Sequence, residues 1–183
     1  MDDSGLQLIR AIGKGDHVAF EHLVKRYQNP LLNFVYRYVG NRQTAEDLTQ
    51  EVFLQVYRSA ARFEPKARVS TWIFKIAYNL CMNEMKRRKR LAAHERNMQM
   101  AEEQPAQFLS PDSIERFELK QFMIKTLVQL PEKQRAALLL RVTKGLSYQE
   151  ISDILGVSRP SVESLLFRAR KQLRQLLARY EME

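Results

Sequence analysis

The sequence predicts an all-α chain: two small helical domains joined by a flexible acidic linker, the second containing a helix-turn-helix. Three observations carry this. Apolar residues recur at helical spacing through residues 1–96 and again through 114–183. The 183 residues include only 6 Gly and 6 Pro, with few Val/Thr alternations, which argues against a β-rich or Rossmann-type fold. Between the blocks, residues 97–113 (NMQMAEEQPAQFLSPDS) hold two prolines, three acidic residues and no basic one, a linker composition. The length suits one ordinary domain or two small ones, and 45% hydrophobic with 28% charged residues is enough to bury a core.

Leu6, Ile9 and Ile12 open the first block at helical spacing, followed by Val18, Phe20, Leu23, Val24 and Tyr27. Asn29-Pro30 breaks the pattern, Leu31 to Val39 resume it, and Gly40-Asn41 stops the helix. Thr44 with Asp47 resembles a capping box and starts a helix whose stripe is Leu48, Val52, Phe53, Val56 and Tyr57. A loop from Phe63 to Val69 contains Pro65, and a longer helix begins near Ser70-Thr71 and runs to about Arg90. In the second block, Asp112 or Ser113 caps a helix through Leu127, Pro131 opens the next and Gly145 ends it. Ser147 and Glu150 form a capping box, Gly156 closes that short helix, and Ser158 caps a last, long one.

Lys and Arg number 30 against 21 Asp and Glu, a net charge of +9. That surplus favours a polyanionic partner, nucleic acid before an acidic membrane surface. The charge divides as +7 over residues 1–96, −3 over the linker and +5 over residues 114–183. Cys81 stands alone, which excludes an internal disulfide framework and a multi-Cys zinc site. His17, His22 and His94 lack ligand spacing, so no metal is expected. Nucleotide-binding glycine loops and a nucleophile elbow are absent, no cofactor is implied, and the expectation is not an enzyme. No apolar run approaches the roughly 20 residues of a membrane span, and MDDSGLQ is too acidic for a secretory signal. A cytoplasmic protein without membrane insertion of its own is expected.

The sharpest motif is YQEISDILGVSRPSVESLLFRAR, which has helix-turn-helix spacing. Ile151 and Leu155 face inward, Ser152 permits close crossing, Gly156 supplies the turn, and Val157 plugs the corner. Val162, Leu165, Leu166, Ala169, Leu173, Leu176 and Leu177 share one stripe of the last helix. The other face carries Glu163, Ser164, Phe167, Arg168, Arg170, Lys171 and Arg174. On DNA, Phe167 would cover a thymine methyl or a sugar, and Arg168 and Lys171 would hold phosphates or guanine edges. Phe167 equally suits packing against its own chain.

In WIFKIAYNLCMNEMKRRKR, the residues Trp72, Lys75, Asn79, Asn83, Lys86 and Arg90 cluster within about 80° of helical arc, away from Ile73, Ile76, Ala77 and Leu80. An aromatic, amides and cations on one stripe suit unstacked DNA, since base stacking on an aromatic is worth about 1–3 kcal/mol. Trp72 alone fits a partly buried core residue as well, and the run Lys86–Arg90 fits a solvated helix end. Glu46, Asp47, Gln50 and Glu51 form an acidic stripe, read either as compensation of a helix dipole or as a dock for a basic partner.

DLTQEVFLQVYRSAARF, VSTWIFKIAYNLCMNEMKRRKR and LPEKQRAALLLRVTKGLSYQEISDILGVSRPSVESLLFRARKQL, in that order and spacing, resemble an extracytoplasmic-function sigma factor of bacterial RNA polymerase. The resemblance covers nearly the whole chain. It implies a factor that binds core polymerase and directs promoter-specific initiation. A stand-alone helix-turn-helix regulator is the alternative. By this likeness, Asp47, Gln50, Glu51, Phe53 and Leu54 dock on the clamp coiled coil of the largest subunit, with a further contact to the polymerase flap. The loop at Phe63 captures a flipped base of the minus-ten element, and Arg68, Trp72, Lys75, Asn79, Lys86 and Arg87 lie along the separated strand. Ser158, Arg159, Ser161, Glu163, Ser164, Phe167, Arg168 and Lys171 face the minus-thirty-five duplex. The linker threads toward the RNA channel, and an anti-sigma factor that hides both blocks, holding the chain near the membrane, is an implied partner. Relatives carry Arg or Lys at Glu163 and Arg at Leu165, and Pro160 replaces a small residue, while Arg168-Ala169-Arg170 is intact.

Overall fold

A computed structural model describes residues 3–94 and 111–180. All regular structure among the described residues is helical. Helices α1 (Asp3–Ile12), α2 (His17–Val39), α3 (Arg42–Ser59) and α4 (Val69–His94) form the first block, with a 3-10 turn at Ala60–Arg62. Helices α5 (Pro111–Val128), α6 (Glu132–Lys144), α7 (Tyr148–Leu155) and α8 (Arg159–Tyr180) form the second. The acidic segment 97–113 lies outside the described residues up to Ser110; its last three residues open α5, ahead of the Asp112 or Ser113 cap expected.

The helix signals explain most boundaries. Asp16, unnoticed in the pattern, caps α2 by accepting the Ala19 N–H at 3.0 Å. Gly40 ends it at φ 76°, a left-handed conformation that glycine adopts without a Cβ penalty. Pro30 does not break α2. The helix runs through it, and Leu31, Phe34, Val35 and Tyr38 beyond it are fully buried. Packing of that apolar face outweighs the hydrogen bond proline removes. The capping box at Thr44 is also corrected. Asn41 caps α3, accepting from the Thr44 N–H and hydroxyl, both at 2.9 Å, so the helix starts at Arg42. In the second block the expected devices form: Gly145 and Gly156 both sit at φ 61°, and Ser147 and Glu150 exchange side-chain-to-backbone bonds.

The two blocks pack directly on each other: α6 and α5 lie against α2, and α7 against α4. Six consecutive residues of α6, Arg135 to Leu140, are buried, because this helix is covered by α2 as well as by α7 and α8. Phe34 meets Phe74 edge-on at 5.5 Å and Tyr38 meets Tyr78 at 6.3 Å in the first block's core. Arg135, 2% exposed, reaches across to donate to the Tyr38 carbonyl, and its guanidinium lies 4.8 Å from the Tyr38 ring centre. The Tyr38 hydroxyl donates to Met82 Sδ and faces the Glu132 carbonyl at 3.4 Å. Lys89 pairs with Glu132 at 2.7 Å, and Gln121 donates to the Tyr36 hydroxyl at 3.0 Å.

Asn41→Ala is expected to cost about 1 kcal/mol of stability, and Asn41→Gly only a few tenths, in urea denaturation. No loss in Asn41→Ala would mean the side-chain oxygen is not what starts α3.

Candidate nucleic-acid interface

The first candidate surface is built on α4 and the loop before it. Gly13 at the end of α1 backs onto Ala61: a Cβ there would meet the Ala61 backbone at 3.0 Å. That close approach seats the 3-10 turn, which the Phe63 N–H closes on the Ala60 carbonyl. Phe63 then rests on Trp72, with ring centres 4.6 Å apart. Both rings are half-buried and border an open cleft of about 260 Å³, shared with Arg62, Lys75 and Asp153. Trp72 is therefore both core and surface. Beyond it, Lys75, Asn79, Asn83, Lys86 and Arg90 are all exposed on one stripe, while Ile73 and Ala77 are buried. Ile76 and Leu80 are only half-buried. Cys81 is fully buried, and burial pushes its thiol up, so it stays a protonated core residue.

The basic run at the end of α4 divides by role. Arg87 and Arg88 clasp Glu84, at 2.7 and 2.8 Å. Arg88 continues to the Val39 carbonyl at 3.1 Å and the Thr44 hydroxyl at 2.7 Å, pinning α4 to the corner between α2 and α3. This brace left no trace in the periodicity. Arg87, assigned to the strand, is thus partly engaged by its own helix. The Arg87 guanidinium holds the Glu84 carboxyl below its ordinary range, with Arg88, against the upward push of burial. Arg68 is engaged too, 3.4 Å from Glu150 of α7. Burial alone would raise Glu150, but the Ser147 N–H and hydroxyl, Arg68 and Thr71 hold it below the ordinary carboxylate range.

The acidic stripe lies on α3. Because α3 starts at Arg42, Glu46 and Asp47 fall beyond its first turn, and dipole compensation does not account for them. They bond instead to Arg42 at 2.9 Å and Gln43 at 3.1 Å. Asp47, Gln50 and Leu54 are exposed and Glu51 is half-buried. Phe53 departs from the expectation of a docking side chain: it is 7% exposed and turned edge-on to Phe20, as its place in the apolar stripe requires. It floors a groove between α2 and α3 that also takes in Gln28 and Leu32, residues the sequence did not single out.

The second surface is on α8. Ser158, Arg159, Ser161, Glu163, Ser164, Phe167, Arg168 and Lys171 are all exposed. Val162, Leu166 and Ala169 are buried against the other side. Phe167 is 68% exposed and does not pack on its own chain, while Leu165 is half-buried and belongs to the inner face. The Ser158 hydroxyl meets that of Ser161 at 2.8 Å in the first turn.

The model for Sigma-70 region 2 matches residues 23–91, and that for Sigma-70 region 4 matches residues 123–173. The RNA polymerase sigma-H factor of Pseudomonas aeruginosa is 32% identical over 93% of this chain and 92% of its own. The ECF RNA polymerase sigma-E factor of Escherichia coli is 32% identical over 91% of this chain and 90% of its own. The sigma factor RpoE of Bartonella quintana, solved with the anti-sigma factor NepR, superposes with a TM-score of 0.71 at 27% identity, covering 87% of this chain and 96% of that one.

Glu84→Gln is expected to lower stability at neutral pH by about 1 kcal/mol. The native contribution is present above the ordinary carboxylate value of 4.5 and is lost as pH falls through the depressed folded value. The variant's stability curve should therefore be flatter below pH 4.5. An unchanged acid limb would show that the clasp carries no charge-dependent stability.

With two family regions in order on two helical blocks, the chain belongs to the sigma-70 family of RNA polymerase sigma factors, in its extracytoplasmic-function type.

Proposed function

We propose that this sigma factor divides promoter recognition between its blocks, the first holding the minus-ten element as separated strand and the second reading the minus-thirty-five element as duplex. The observation that carries this is the open cleft bordered by the Phe63–Trp72 ring pair and Lys75, with the exposed stripe Lys75–Asn79–Asn83–Lys86 leading on from it. A ring-walled cleft followed by amides and cations at helical spacing favours bases already out of the stack. A closed duplex presents none. Extruding a base costs a few kcal/mol, which capture in the cleft offsets, so the first block stabilises the melted form. The α8 face suits the major groove, with Arg168 and Lys171 toward phosphate or guanine. Glu163 accepts from cytosine N4 in that setting, which gives base choice instead of charge attraction.

Polymerase docking is assigned to Asp47, Gln50, Glu51 and Leu54 on α3, with Phe53 as the groove floor beneath them. An anti-sigma partner is part of this reading, since RpoE of Bartonella quintana is solved with one. So is a cytoplasmic location without catalysis. No helix among the described residues is long and apolar enough to cross a membrane.

Asn79→Ala and Trp72→Ala are expected to impair open-complex formation on a promoter more than core-polymerase binding. Equal loss in both assays would make these residues structural. Arg168→Ala should lower the slope of log affinity against log salt by about 0.9 on duplex DNA, the share of one phosphate contact. A slope that does not move would mean Arg168 touches no phosphate.

A further inference from the structure

We propose that the separated strand leaves the cleft over the 3-10 turn and is held there by a second phosphate track, Arg10, Lys14, Arg58 and Arg62, residues that the sequence patterns left unassigned. The track presupposes the strand-binding role of the cleft. Ser59 and Arg62 line that cleft from the α3 side, as Thr71, Trp72 and Lys75 do from α4. Gly13 abuts Ala61 so closely that the Cα atoms of the next residues along, Lys14 and Arg62, are no more than about 12 Å apart. Arg10 lies one turn before Lys14, and Arg58 one turn before Arg62. The ends of α1, α3 and the 3-10 turn thus gather four cations around one backbone contact, and all four are exposed.

None of the four forms an ion pair among the described residues. Other cations of this block are engaged by the fold: Arg87 and Arg88 with Glu84, Lys66 with Glu64, Arg68 with Glu150. The acids nearest the group, along the chain or in the cleft, are engaged as well. Asp16 caps α2, Glu64 takes Lys66 at 2.5 Å, and Asp153 accepts from the Gln149 amide at 2.9 Å. Arg10, Arg58 and Arg62 stand in the last turns of their helices, where the dipole favours cations. That explains how they sit together without acids. It does not explain why the group opens through Arg62 onto a ring-lined cleft. A base held in the cleft leaves its phosphates at the rim, and the strand must run on in both directions. The α4 stripe takes one direction and the four cations take the other. Phosphate contacts carry no sequence information, so the track adds affinity and salt dependence without base choice.

The test assembles the full chain with core polymerase and reads the anisotropy of labelled single strands, with core polymerase alone as background. An A/T-rich octamer covers the cleft and the α4 stripe, and a pair of dodecamers lengthens it by thymines at one end or the other. One dodecamer, and not its counterpart, is expected to bind the parent about eightfold more tightly than the octamer, since three exposed charge contacts give about twofold each. The variant combining Arg10→Gln, Lys14→Gln and Arg58→Gln should lose that gain while its octamer affinity stays within about twofold. Its slope of log affinity against log salt on the favoured dodecamer should fall by about 2, the share of three single-strand phosphate contacts. Lys14 lies beyond the end of α1, so Lys14→Gln alone keeps the track testable if the combined variant does not fold. It should lose about twofold on the favoured dodecamer and about 0.7 of the slope. A parent that gains from neither extension would overturn the track and leave the cleft as the strand site. So would a gain that survives in the variants, whose only loss would then be the stability that dipole compensation predicts. Failure of every strand to bind above background would count against the cleft itself.

Discussion

The relative placement of the two blocks depends on one buried cation. Taking a guanidinium out of water costs several kcal/mol unless acceptors replace the lost hydration. Arg135 finds them in two carbonyls from different blocks and in the face of the Tyr38 ring. Burial pulls its guanidinium down and pushes the Tyr38 hydroxyl up, so the phenol remains a donor, to Met82 and the Glu132 carbonyl. Such an arrangement tolerates little displacement. Apolar packing between α2 and α6 would permit many sliding positions, whereas a charged fork with assigned acceptors permits few. Lys144 shows the same economy at the edge, its ammonium 5.7 Å from the Tyr27 ring and 5.6 Å from Phe74, lowered by burial and by nearby Arg26.

With both blocks basic, bringing them together must overcome like-charge repulsion. The structure does so by placing acids at the seam. Glu132 meets Lys89, and Glu150 meets Arg68. Lys86 and Arg90 of α4 and Arg168 and Lys171 of α8 are exposed and belong to neither of these seam pairs. Net charge therefore states the kind of partner, while the distribution decides which faces are open to it.

Much of the fold was legible because its signals are local. Gly40, Gly145 and Gly156 mark left-handed stops, and Ser147 with Glu150 is a complete capping box. The α4 and α8 stripes were legible for the same reason, since helical spacing alone sorts Asn79 and Phe167 from Ile73 and Leu166. What failed was competition between local signals and packing. Pro30 reads as a break, yet the buried residues on both sides of it hold one helix. Thr44 reads as a cap, yet Asn41 is better placed and Thr44 becomes its donor. The Arg88 brace and Arg135 were invisible because their partners, Val39, Thr44 and Tyr38, lie 44 to 97 residues away.

The short helix α7 shows how one residue comes to serve two ends. Glu150 is the N3 acid of its capping box, and its Oε2 takes the Ser147 N–H and hydroxyl, each at 2.8 Å. That fixes the carboxylate's direction and leaves Oε1 facing Arg68 and Thr71. A carboxylate already ordered by its own helix loses little further side-chain entropy on forming the second contact. The contact is also weak, at 3.4 Å to a largely exposed arginine, and so adds little to holding the blocks together. The strong contact between the blocks is thus buried at Arg135, and the weak one lies exposed at Arg68.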